Sequence, residues 1–144
     1  MVTEENNFGE VYDAIDITLE EGMKAVHELT LARVLSNWDS GQDALGNPWV
    51  PLAESTIERK GDDSILIDTG ELKADVRAQS YYNEEDYSSV IQSDLARAAY
   101  HEFGAPEQGL PARPIFGPAG AYAASLLSEE LEERFNDELR SAEV

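Results

Sequence analysis

The residue pattern predicts an α+β fold: an antiparallel β-sheet, formed by a hairpin plus an extra strand, packed against a long N-terminal helix and a C-terminal helix. Three observations carry it. Apolar residues recur at steps of three and four from Val11 to Val34 and again from Leu127 to Leu139, which is the helical period. Between them, residues 74–80 and 87–92 alternate at period two around an acidic turn, the mark of half-buried strands. Finally, the prolines on either side of Ala112-Arg113 bar helix there and demand an extended path. The chain has 144 residues, which fits a single domain over 1–144.

Taken in order, the first element is a helix from about Glu10 to Trp38. Its expected buried stripe is Val11, Ile15, Leu19, Met23, Val26, Thr30 and Val34, with Phe8 one turn earlier as an extension. Asp13, Asp16, Glu20, Glu21 and Glu28 form the wet face. Gly22 in its interior costs about 1 kcal/mol relative to alanine and weakens the expectation of continuity. Asp39-Ser40-Gly41 ends the helix, and Gly46-Asn47-Pro48 marks a turn in the loop that follows. A short helix is expected over Ala53–Lys60, a short apolar run at Ile65-Leu66-Ile67, and a cap at Thr69.

The expected hairpin pairs Ala74, Val76, Ala78 and Ser80 with Tyr87, Ser89 and Ile91 through Asn83–Asp86. Leu95–Phe103 reads as a short helix stopped by Gly104, Ala105–Gly109 as a loop, and Leu110–Phe116 as the extra extended segment. Pro118 opens the last helix, to about Leu139. Leu127, Leu131, Phe135 and Leu139 are its apolar stripe, and Glu129, Glu130, Glu132, Glu133 and Asp137 its wet face.

Charge excludes several function classes. Thirty Asp and Glu against ten Lys and Arg give a net charge of −20, and the ten cations are scattered. Binding by phosphate neutralisation needs clustered cations, so sequence-specific nucleic-acid binding is not expected, nor is docking on anionic lipid. Hydrophobic residues make up 42%, enough for a core and too many for a disordered acidic tail. No apolar run reaches a membrane span, and the acidic start lacks the features of a signal peptide. The expectation is a soluble, unexported protein. Because the acidic excess runs through the whole chain, it reads as adaptation to a salt-rich cytoplasm such as that of haloarchaea.

Catalytic chemistry has no anchor, so no enzyme, cofactor or metal is expected. With no cysteine, thiolate chemistry is impossible. His27 and His101 cannot supply a three- or four-ligand zinc site and read as structural residues. No nucleophile elbow and no phosphate-binding glycine loop occurs. Acidic pairs such as Asp62/Asp63 and Glu84/Glu85 read as solvated turns, chance neighbours among thirty carboxylates.

Two segments stand apart. Leu45–Leu52 is held to an irregular path by Gly46, Pro48 and Pro51, and brings Trp49 and Leu52 as apolar anchors. His101-Glu102-Phe103-Gly104 is followed by Leu110–Phe116, in which Pro111 and Pro114 stiffen an extended strand around Arg113. In so acidic a chain Arg113 is expected to meet a carboxylate, within the chain or on a neighbouring subunit. The expected interface residues are Trp49, Leu52, His101, Phe103, Pro111, Arg113, Pro114 and Phe116.

These segments, in this order, resemble the tail-completion, or virion-morphogenesis, proteins of tailed phages. The resemblance rests on Asp43, Gly46, Pro48-Trp49, Pro51-Leu52, Thr56 and Arg59-Lys60; on Ile65-Leu66, Thr69-Gly70 and Leu72; and on His101–Gly104 and Pro111–Pro114. It covers Asp43 to about Pro118. Two positions depart from the pattern: Arg97-Ala98 stands where Tyr-Ala is common, and Ile115 replaces the usual Phe. The resemblance implies a virion protein of the head–tail junction in a tailed virus of a haloarchaeon. The resemblance further implies a ring formed with itself, a hexamer, around a channel through which DNA passes. Its other partners are a tail tube or terminator protein and a head-side connector or stopper. Its implied location is the virion, and the host cytoplasm during assembly. A tail terminator of the same virion and a non-virion acidic adaptor stand as alternatives.

If salt screens the self-repulsion, the chain unfolds in dilute buffer and regains its helical circular-dichroism signal near ~1 M salt, where the Debye length is ~3 Å. Full helicity without salt would count against halophilic adaptation.

Overall fold

A computed structural model describes residues 8–54, 56, 58, 61 and 70–142. The order is α1 (Phe8–Ser40), α2 (Glu71–Gln79), β1 (Tyr81–Asn83), β2 (Ser88–Val90), α3 (Arg97–Phe103), a 3-10 turn (Pro106–Gln108) and α4 (Phe116–Ala142). The class is α+β, with α1 packed along α4. Of the expected short helix, Glu54, Thr56 and Glu58 are helical. The apolar run at Ile65–Ile67 and the Thr69 cap lie outside the described residues.

Helix α1 runs unbroken through Gly22 for 33 residues, about 50 Å at 1.5 Å per residue. Gly41, with φ 69°, stops it, and the Gly41 N–H donates to Asn37 O at 2.8 Å. The buried stripe is Ala14, Thr18, Gly22, Val26, Thr30, Val34 and Trp38. This corrects the expected stripe in its first half, where Ile15 is exposed and Leu19 and Met23 are half-buried. A strict step of four drifts about 40° round a helix at each repeat. The stripe therefore winds from the α4 side towards the rest of the core.

The reason for the shift is close approach. A Cβ built on Gly22 would lie 2.6 Å from Leu131 Cδ2. Small residues on α1 let the larger side chains of α4 seat between them, and the absent Gly22 side chain is what lets the two helices pack so closely. On α4, Leu127, Leu131, Phe135 and Leu139 are half-buried as expected, while Glu130 is drawn off the wet face. Its carboxylate lies 3.4 Å from Arg134, which also faces Glu21 of α1 at 3.7 Å.

The expected first strand, Ala74–Ser80, is overturned. Residues 71–79 are helix, and only Tyr81–Asn83 pair with Ser88–Val90, in the register Tyr81↔Val90, Tyr82↔Ser89 and Asn83↔Ser88. Two of the alternating residues, Ala74 and Ala78, are exposed, and alanine favours helix. Burial instead falls on Leu72 and Val76, four apart on one helical face. Among the described residues the sheet has two strands. The Leu110–Pro114 segment is extended but joins no sheet: its one ladder-type pairing among the described residues is an isolated bridge of Leu110 with Ala105. Two proline nitrogens without hydrogens suit it poorly to a ladder.

The core joins Val34 and Trp38 of α1 to Trp49, Leu72, Val76, Ala98, Ile115 and Ala119. Trp38 and Trp49 meet edge to face, centroids 6.0 Å apart at 77°. The hairpin rests on α1, where His27 Nδ1 and Ser89 Oγ lie 2.7 Å apart and the Tyr82 hydroxyl donates to Glu20 O at 3.3 Å.

Gly22→Leu should destabilise the fold by about 1–3 kcal/mol, the usual cost of overpacking. In Gly22→Ala, displacement of the Leu131 side-chain tip opposes a helix-propensity gain of about 1 kcal/mol, so stability should change little. Thermal melts of both variants in molar salt check this; equal melting temperatures for Gly22→Leu and the parent would refute the close contact.

Candidate functional site

The two standout segments fold against each other at the end of α1. Gly46, at φ 87°, turns the first. Asp43 is buried and its Oδ1 accepts N–H bonds from Leu45 at 2.9 Å and Asn47 at 3.0 Å, an Asx-type turn that satisfies a loop from within. The Trp49 N–H donates to Gly41 O at 2.9 Å, which returns the chain to the helix end. The buried Asn37 amide, oriented to suit its neighbours, donates to Gln42 O and Arg33 O and accepts from Ala44 N.

The second segment is built on backbone contact. At Gly104 φ is 74°, and a Cβ there would lie 2.9 Å from Ala112 N and 3.1 Å from Leu110 O. Both the conformation and the space require glycine. The Arg113 N–H donates to His101 O at 2.6 Å. Thus the end of α3 and the proline-flanked strand lie directly side by side.

Side chains then tie the segments together. Trp49 Nε1 donates to Pro114 O at 2.9 Å. Arg113 Nε donates to Val50 O at 2.7 Å and its Nη2 to Pro51 O at 3.1 Å. The carboxylate expected for Arg113 is therefore not its partner among the described residues; it is held by carbonyls of its own chain. Irregular, proline-rich backbone leaves carbonyls without ladder partners, and the planar fork of a guanidinium reaches two neighbouring ones at once. Burial depresses the Arg113 pKa.

Glu102 has a role that the sequence reading missed. Its Oε2 accepts N–H bonds from Ile115 at 2.5 Å and Phe116 at 2.9 Å, and its Oε1 accepts from Gly117 at 2.8 Å. One carboxylate from α3 thus caps the N-terminus of α4, satisfying N–H groups that have no intrahelical partner and meeting the positive end of the helix dipole. This cap accounts for the start of α4 at Phe116, two residues before the expected Pro118. A signal was available: Arg113-Pro114-Ile115 carries no Ser, Thr, Asp or Asn to cap the helix locally.

The eight expected interface residues are placed unequally. Trp49 and Arg113 are buried, and their polar atoms are engaged within the chain. Leu52, His101, Pro111, Pro114 and Phe116 are half-buried. Phe103 is 80% exposed, with Tyr100 and Leu110 also exposed nearby in sequence. Phe103 and Phe116 line an apolar groove with Ile91 and Leu95. The outward-facing residue of the set is therefore Phe103, at the tip of α3.

His101 has its pKa lowered, by burial first and then by the positive charges of Arg113 and Arg97. His27 is lowered by burial, partly opposed by Glu28. Among the described residues no group of three or more His, Asp or Glu is placed to hold a metal ion. Glu84, Glu85 and Asp86 are exposed in the hairpin turn, while Asp62 and Asp63 lie outside the described residues. No helix among them is long and apolar enough to cross a membrane. No family model, curated protein or solved structure matches the chain.

Glu102→Ala should cost about 1–3 kcal/mol, the penalty for stranding the partly buried N–H groups of Ile115 and Phe116, and Glu102→Gln should cost less because one amide oxygen still accepts. Denaturant titration in molar salt measures both. The two histidines set a pH dependence of definite sign. Each has a folded pKa below 6.5, so below that value the unfolded chain binds more protons. Stability should therefore be full above 6.5 and fall as the pH drops from there towards the folded values; His101→Gln should flatten the profile, and an unchanged slope would argue against a buried neutral imidazole.

Proposed function

We propose that the chain is a structural protein of the head–tail junction of a tailed virus, a tail-completion protein that assembles as a ring around the DNA channel. It carries out no catalysis and takes no cofactor in this role. The observation that supports the reading is the convergence of Pro48–Leu52, His101–Gly104 and Pro111–Pro114. These are the segments that carry the resemblance, and they are distant in sequence yet tied by Trp49, Arg113 and Glu102. A unit so braced presents Phe103 and its neighbours on a stiff backbone, as a docking element needs.

Its partners in this reading are further copies of itself, a tail tube or terminator protein, and a head-side connector. The exposed face of α4, with Glu129, Glu132, Glu133 and Asp137, suits a wall that DNA slides past, because like charge repels phosphate. Adaptation to molar salt fits a haloarchaeal host cytoplasm as the place of assembly, with the virion as the final location.

Electron microscopy of lysates in molar salt, from a virus with this gene disrupted, tests the reading. DNA-filled heads beside detached tails are the expected result. Tails of abnormal length would point instead to a terminator, and normal infectious particles would remove the virion role. Complementation with Phe103→Asp, which changes an exposed side chain, should leave the fold intact and reduce the yield of joined particles.

A further inference from the structure

The first half of α1 and the second half of α4 run together as an incomplete bundle. Beyond Ala119 no described side chain of α4 is buried. Along one side of the pair lies a groove of about 310 Å³ lined by Ile15, Thr18, Leu19, Leu131, Glu132 and Phe135. Its accessible lining is apolar, and Tyr12, exposed at 68%, stands one turn before Ile15. Two helices alone leave such a face open to water; a third helix laid along it would complete a bundle core.

The groove edges state what kind of helix fits. Asp16 follows Ile15 and Glu20 follows Leu19, about 100° round α1, and both are exposed. On the other wall Glu132 lines the groove and continues into a surface formed by Glu129, Glu133 and Asp137, on which Arg140 is paired with Asp137 at 3.2 Å. No Lys or Arg lines the groove itself. Arg134, beside Phe135 on α4, is engaged with Glu21 and Glu130. A second copy of this chain would bring carboxylate edges against carboxylate edges, an arrangement that costs energy at contact distance even when salt screens longer range.

We propose that this groove docks a helix of another protein, amphipathic, with an apolar stripe at i, i+3, i+4 and i+7 and with Lys and Arg along its edges. The apolar floor supplies affinity in molar salt, where charge attraction is short-ranged. The carboxylate rims supply selectivity against acidic helices. The inference stands on the groove alone and does not depend on the virion reading.

Fluorescence anisotropy of the full chain in molar salt tests it, with a labelled synthetic peptide of about 18 residues, long enough to form helix, carrying Leu on the stripe and Lys on the edges. Expected are saturable binding, a loss of about tenfold or more in affinity, that is ~1.4 kcal/mol, with Ile15→Glu, and a similar loss when the peptide lysines become glutamates. Ile15 is already exposed, so that substitution spares the fold, which circular dichroism verifies. The chain has no cysteine, so Ile15→Cys gives a single labelling site for crosslinking to the peptide. Equal binding of a scrambled peptide of the same charge, no effect of Ile15→Glu, or Ile15→Cys crosslinking chain to chain in place of peptide would each overturn the proposal.

Discussion

The opening of α4 depends on a carboxylate from another element. Three consecutive backbone N–H groups converge on Glu102, and the adjacent His101 carbonyl accepts from Arg113. Two neighbouring residues of α3 therefore fix the extended strand and the helix that follows it. The direction of α4 follows from that anchor, as does the placement of Ile115 and Ala119 in the core. Arg113 carries the constraint onward to Val50 and Pro51, and Trp49 returns it to Pro114. The ring of contacts closes through partly buried polar atoms, a geometry in which losing one partner strands another.

Charge explains why that lock uses carbonyls. In a chain of −20, carboxylates are plentiful, yet Arg113 is buried among backbone oxygens. A carboxylate taken inside would need full desolvation for a pair whose net gain is small. Carbonyls left open by proline-rich backbone already need donors, so one guanidinium satisfies two of them. The remaining ion pairs, such as Arg97 with Glu71 and Arg140 with Asp137, lie on the surface and contribute little. Stability therefore rests on the core and the lock, and little on these surface pairs.

The fold and the candidate site were legible to different depths. Both long helices, the turn at Glu84–Asp86 and the stop at Gly104 could be read because local chemistry decides them: periodicity, turn residues and glycine's positive φ. Residues 71–79 misled because alanine alternation satisfies a strand pattern without favouring one. In α1, Ile15 and Leu19 outweigh Ala14 and Thr18 on any hydrophobicity scale. Burial nevertheless chose the smaller residues, because α4 needs space at the contact.

Sequence alone settled the class, the extended path between Pro111 and Pro114 and the acidic surface, since each depends on residue type and near neighbours. Only the tertiary structure decided that Glu102 caps a helix that starts fourteen residues on, that Arg113 is held by the carbonyls of Val50 and Pro51, that Gly22 is a packing notch, and that Phe103 faces outward while Trp49 does not. Those outcomes depend on which groups meet across the fold. Distance between remote residues follows from how whole elements pack, a quantity that no local pattern of side chains contains.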